Sequence, residues 1–255
     1  MAGMTKNRRP GTTGPFLLPK NLAAMSRSSH DRAKRGDAAM TADLTIWTYD
    51  WVPEGPRGFV RDLRLRWACE EACLPYSVKS VKFDDRSPEH YARQPFGQVP
   101  VLQDGDITLF ESGACLLHLA QKSTALMPTD PKGAAETLEW VIAALNSVEL
   151  VSVSWWFVGL SDPAENPLEP WLLQRLRHLD AVLAKREWLA GGRFTIADLL
   201  MADVLRVPKF RQFNPHPALE AYVARATSRP AFKRAYDAQM AHFAAGSIAR
   251  DKASL

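Results

Sequence analysis

The sequence predicts a small α/β unit followed by an all-helical one, and three observations carry that prediction. Alternating, strand-like segments end at Phe110; a turn-rich stretch, Pro128–Gly133, breaks the chain; and every segment after it has helical apolar spacing. The 255 residues are 46% hydrophobic and 24% charged, enough apolar side chain to build a core and too much for a chain disordered throughout.

The first strand is Leu44–Tyr49, which alternates and is rich in β-branched and aromatic residues. Pro53, Gly55, Pro56 and Gly58 make the next segment a loop. From Phe59 to Cys73, apolar Phe59, Leu63, Trp67 and Ala68 recur at helical spacing, and Pro75 stops that helix. Tyr76–Phe83 alternates as a second strand. Ser87-Pro88-Glu89 is an N-cap with proline at the first helical position, opening a short helix to Arg93. Val99–Leu102 and Ile107–Phe110 are strands joined by a Gln-Asp-Gly-Asp turn, and Ser112–Gln121 is a helix. The order is β-α-β-α-β-β-α. The helices expected beyond it are Ala134–Leu160, Leu168–Lys185, Thr195–Arg206, Pro217–Ala226 and Pro230–Phe243. This divides the chain into a leader (1–42), an α/β domain (43–125), a linker (126–133), a helical domain (134–245) and a tail (246–255).

The formal charge is +4, which would suggest a nucleic-acid partner if it were spread over the fold. It is not. Residues 1–40 hold eight Lys and Arg against Asp31 and Asp37, a net +6, which leaves residues 41–255 at −2. A basic domain is excluded. The leader lacks the apolar stretch of a secretory signal; its Arg/Ser bias resembles an organelle transit peptide, but Pro10, Pro15 and Pro19 interrupt any amphipathic helix. Met40, just ahead of the first strand, is an alternative start. Three cysteines, Cys69, Cys73 and Cys115, make no secreted disulfide framework, and a reducing, cytoplasmic setting is expected. No run of 18 apolar residues occurs, so no membrane association is expected. The six histidines show no metal-ligand spacing, and no metal is expected.

Three short segments have both a plain and a chemical reading. Pro100 opens a strand where it cannot donate to a ladder; a cis bond before it would offer the Val99 backbone to an extended peptide. Glu111-Ser112 stands where a strand meets a helix, so that Ser112 is either a simple cap or a carboxylate site with an acid beside it for an ammonium. Thr195-Ile196-Ala197-Asp198 after Phe194 is a capping-box variant with a hydrophobic staple, a folding element without chemistry.

In combination these segments resemble the glutathione S-transferase family. The matching pieces are Arg64-Leu-Arg-Trp-Ala-Cys-Glu-Glu-Ala-Cys-Leu-Pro-Tyr76, Gln94-Pro-Phe-Gly-Gln-Val-Pro-Val-Leu102, Glu111-Ser-Gly-Ala114, Phe194-Thr-Ile-Ala-Asp198 and Arg229-Pro-Ala-Phe-Lys-Arg234, over about residues 43–245. The resemblance implies a thioredoxin-like first domain, an all-helical second domain, and a cytoplasmic homodimer engaged in detoxification. It implies glutathione as co-substrate and a small hydrophobic electrophile or a disulfide as the other partner. Val99 before a cis Pro100 would bind the cysteinyl backbone; Glu111 and Ser112 would hold the γ-glutamyl ammonium and carboxylate; Gln94 and Gln98 would reach the glycyl end. Trp51, Trp155 and Trp156, with Phe157, would meet the second substrate.

At the thiolate position the chain departs from the family. The usual Ser or Cys falls near Phe59, and no Ser, Thr, Cys or Tyr lies between Asp50 and Asp62. Members of the tyrosine type end their first strand in Tyr and follow it with Arg-Gly, as Tyr49 and Arg57-Gly58 do here. Tyr49 is therefore the first candidate for holding the thiolate. Arg57 or Arg61 with the first backbone N–H groups of the helix, Phe59 among them, is the second. Glutathione-dependent disulfide reduction and non-catalytic ligand binding are the alternative functions.

Overall fold

In the computed structural model, which describes residues 44–161, 165–207 and 215–253, the alternating segments form one four-stranded sheet. Its strands are β1 (Leu44–Tyr49), β2 (Tyr76–Val81), β3 (Val101–Asp104) and β4 (Ile107–Phe110), in the order β2-β1-β3-β4. β1 runs parallel to β2 and antiparallel to β3, and β3 and β4 form a hairpin. Helix α1 (Asp62–Ala72) makes the β1–β2 crossover, α2 (Pro88–Arg93) precedes β3, and α3 (Ser112–Ala120) follows β4. The expected leader, 1–42, lies outside the described residues.

The helical part comprises α4 (Pro131–Ala143), one π-helical segment (Ala144–Glu149), α5 (Leu150–Ser161), α6 (Glu169–Leu183), α7 (Ile196–Leu205), α8 (Pro217–Thr227) and α9 (Pro230–Ala253). Its first three pieces are one continuous helix. Asp130 caps it, its carboxylate accepting the Gly133 N–H at 2.8 Å with Pro131 at the first helical position. By length and composition this 131–161 helix is apolar enough to cross a membrane. Here it packs against α7, and α5 against α6. Thr195 and Asp198 form the expected capping box at α7. Leu63, Leu65 and Trp67 of α1, Leu116 and Leu119 of α3, Val141, Leu172, Leu176, Leu199 and Leu200 belong to a single core that both parts share.

Most boundaries shift by one or two residues, β2 for instance ending at Val81 rather than Phe83, and four elements differ for a clear local reason. α1 starts at Asp62 rather than Phe59, because Gly58 takes a φ of 80° and the Phe59 N–H turns back onto the Pro56 carbonyl at 2.9 Å. β3 starts at Val101, past the non-donating Pro100, and extends to Asp104 before a two-residue turn at Gly105. The long helix begins three residues early because Asp130-Pro131 caps it. α9 runs ten residues past Phe243, so most of the segment read as a tail is helix.

Candidate active site

The loop between β1 and α1, the start of α1, the π-helical segment, α5 and the end of α7 enclose a cleft of about 610 Å³. One wall is apolar: Phe59, Val153, Trp156, Phe157, Leu160, Val204 and Val207. The polar end is an ionic cluster. Glu149 receives Arg64 Nη2 at 2.7 Å and Arg61 Nη2 at 3.0 Å; Asp203 receives Arg64 Nε at 2.6 Å and Arg206 Nε at 2.7 Å. Three guanidiniums share two carboxylates, which leaves one positive charge in excess. Arg64 is 4% exposed, whereas Arg61 is 38% exposed and reaches the cleft.

Buried charges of this kind persist only when paired, and removing one partner typically costs about 3–5 kcal/mol. Burial pushes Glu149 and Asp203 up, but Arg64 with Arg61 on the first, and Arg206 with Arg64 on the second, hold both below the ordinary carboxylate range. Glu149 closes the π-helical segment. A π turn adds a residue and re-aims the side chains that follow, a device frequent at functional sites. Gly113 lets α3 approach that segment: a Cβ there would lie 2.6 Å from Leu145 Cδ1.

Of the groups expected to hold glutathione, Ser112 touches the cluster. The Val99–Pro100 peptide bond is cis. Among the described residues, nothing pairs with the Val99 N–H or carbonyl. Ser112 Oγ accepts Arg64 Nη1 at 3.0 Å, and its own hydrogen has no acceptor among the described residues. Ser112 is the first residue of α3 rather than its cap. Glu111 holds the cap position at φ 66°, a conformation costing about 1–3 kcal/mol for a non-glycine residue, and its carboxylate is exposed.

Several expected site residues are placed elsewhere. The Tyr49 ring packs edge-on to Phe83 with Arg86 over its face, outside the cleft wall. Arg57 is occupied by the Val52 carbonyl and by Ser247 Oγ, the latter at 2.6 Å. The Phe59 N–H, used within its own turn, is closed to a ligand; its ring remains on the cleft. Trp51 donates to Ser247 Oγ and lies under Arg250. Trp155 points into the core, 8% exposed, because successive helical residues point about 100° apart; Trp156 lines the cleft. Gln94 is buried, its Oε1 accepting the Phe96 N–H at 2.6 Å, and Gln98 is exposed with its carbonyl on His90 Nε2. Cys69 and Cys115 are buried, which pushes both thiols up to about 12. Among the described residues, no cluster of three His, Cys, Asp or Glu could hold a metal.

Arg64, Glu149, Asp203 and Arg206 were not anticipated as site residues. Glu149 and Asp203 did leave a signal: each stands between apolar neighbours within a helix, Val148 and Leu150 for the first and Ala202 and Val204 for the second, and an acid so placed is buried only with a cation.

Two family models match, the glutathione S-transferase N-terminal domain over residues 55–121 and the C-terminal domain over 165–230. Glutathione S-transferase 1 of Zea mays is 32% identical over 190 residues, 67% of this chain and 88% of that protein. The chain belongs to the glutathione S-transferase family. A glutathione S-transferase of Hyoscyamus muticus is 29% identical over 203 residues, 72% of this chain and 96% of that one. Among solved structures, the theta class glutathione S-transferase of Xanthomonas axonopodis pv. citri, with glutathione bound, is 28% identical with a TM-score of 0.60, covering 77% and 98% of the two chains. A Pseudomonas putida glutathione transferase holding glutathione disulfide shares the fold, with 23% identity, a TM-score of 0.65 and coverage of 78% and 93%. The thioredoxin-like and helical parts of this family correspond to the sheet and the helical part described above.

Proposed function

We propose that the chain is a glutathione transferase that presents the glutathione thiolate to a hydrophobic electrophile in the cleft. The observation that carries this reading is one side chain: Arg64 lines the cleft and also hydrogen-bonds Ser112 at the start of α3. The carboxylate site and the apolar cleft are therefore adjacent. In this reading the Val99 backbone binds the cysteinyl unit, while Ser112 and Glu111 take the γ-glutamyl carboxylate and ammonium. Arg61, the exposed member of a cluster with excess positive charge, stabilises the thiolate together with the Val60 and Arg61 N–H groups, which donate to no backbone carbonyl among the described residues. Orientation and electrostatics carry the catalysis, and no nucleophile of the protein is needed. The same family reading makes the protein a cytoplasmic homodimer, with residues 1–42 a leader outside the catalytic unit.

The test is calorimetry with reduced glutathione. Ser112→Ala weakens binding about tenfold through a lost charge-assisted hydrogen bond. Absence of binding by the unaltered protein at millimolar glutathione overturns the reading. A second reading, disulfide reduction, is favoured by one observation: none of the three cysteines lines the cleft, so a disulfide held there meets only the thiol of glutathione. Turnover of hydroxyethyl disulfide against a chlorinated aromatic separates the two.

A further inference from the structure

The loop from Asp50 to Arg61 supplies Gly55, Pro56, Phe59 and Arg61 to the cleft, yet little within it sets its position. Its internal backbone hydrogen bonds are two short turns, Arg57 N–H to Glu54 and Phe59 N–H to Pro56. With two prolines and two glycines it has no periodic structure to hold it. Its other anchors include one stripe of α9. Tyr236 sits against Gly58, where a Cβ would lie 2.7 Å from Tyr236 Cε2. Gln239 Nε2 donates to the Val60 carbonyl at 2.9 Å, and His242 Nε2 meets the Tyr49 carbonyl at 2.8 Å. Ser247 Oγ accepts both Trp51 Nε1 at 3.1 Å and Arg57 Nη2 at 2.6 Å. Gly246 lies so close to the Asp50 carbonyl oxygen that a Cβ there would collide with it. Arg250 covers the Trp51 ring. Positions 236, 239, 242, 246, 247 and 250 recur at helical spacing, so one face of the helix follows the loop along its length. The family match to the C-terminal domain stops at residue 230, short of the whole stripe.

We propose that Gly246 and Ser247 of α9 are positioning residues that fix the Asp50–Arg61 loop and thereby set how tightly the cleft holds its apolar substrate. Glycine inside a helix costs about 1 kcal/mol against alanine, and at position 246 it is what lets the backbones meet. Ser247 ties both ends of the loop's first half to the same oxygen. The proposal rests on the cleft being the electrophile site.

The experiment uses full-length Gly246→Ala and Ser247→Ala, with Ile248→Ala as control, since Ile248 is 58% exposed. The readouts are affinity for the apolar fluorescent probe 8-anilinonaphthalene-1-sulfonate, KM and kcat for a chlorinated aromatic, and calorimetric glutathione affinity. In the two loop-facing variants, probe affinity falls and KM for the aromatic rises by about three- to tenfold, the scale of one or two lost hydrogen bonds. Glutathione affinity and kcat stay within about twofold on the same scale, because Arg61 is held by Glu149 rather than by α9, and Ile248→Ala matches the unaltered protein. If Gly246→Ala does not fold, Ser247→Ala, which adds no atom, decides. Unchanged probe affinity and KM overturn the proposal, as does an equal loss of glutathione affinity. If the aromatic fails to displace the probe from the unaltered protein, the assignment of the cleft is what falls.

Discussion

Arg61 lies two residues past Phe59, the position where the resemblance places a hydroxyl or thiol, and brings a guanidinium cation to the cleft. A cation beside a thiol favours the thiolate, so losing it raises the thiol pKa. In Arg61→Gln the pKa of bound glutathione, read from the ultraviolet thiolate band against pH, rises by about one unit, and the rate at neutral pH falls about tenfold. Tyr49→Phe changes neither, because that ring is packed on Phe83 and Arg86. Equal effects of the two substitutions would return the role to Tyr49. The sequence alone could not separate them, since both residues flank the same loop. What separates them is where the loop is pinned, and α9 supplies anchors from far along the chain, Ser247 lying 190 residues from Arg57.

At the scale of elements, strand and helix order was legible because periodicity and caps are local. Asp198 is an example: it accepts the Thr195 N–H at 2.9 Å, the Leu189 N–H at 2.8 Å and the Tyr222 hydroxyl at 3.0 Å. Asp198→Ala removes the cap and leaves buried donors unpaired, so it destabilises the fold by about 2–4 kcal/mol, measured by urea unfolding. The ionic cluster was less legible, because its members come from α1, the π-helical segment and α7, and no local pattern brings those together. It makes a prediction of its own. Glu149 and Asp203 have folded-state pKa values below their ordinary ones, so the stability they contribute is present above about pH 4.5 and is lost as pH falls through the folded values. Urea midpoints therefore decline below about pH 4.5, and Glu149→Gln, less stable at neutral pH, declines less steeply because one of the two groups no longer titrates. A parallel decline in both proteins would remove Glu149 from this account.

For the whole molecule, the open question is what covers the outer face of the 131–161 helix. Leu138 and Ile142 are each 46% exposed and Leu150 is 59% exposed, an apolar strip of the kind that a membrane or a second protein covers. The helix itself argues for protein. Its Glu149 is held in the fold by two arginines, and its opposite face fills the core with Val141, Ala144, Val148 and Val151, so that the helix cannot leave for a bilayer without breaking both. The homodimer proposed above would cover such a strip with a second copy without disturbing either. Placing a charge at each of two adjacent turns should then separate the copies. In the proposed homodimer, Leu138→Glu with Ile142→Glu converts the dimer to a monomer in sedimentation equilibrium, because burying carboxylates in an apolar contact costs several kcal/mol of desolvation per pair of subunits. Neither residue lines the cleft, so glutathione affinity of the monomer stays unchanged. A protein that is monomeric before substitution, or that moves into the membrane fraction, would remove the second copy as the cover.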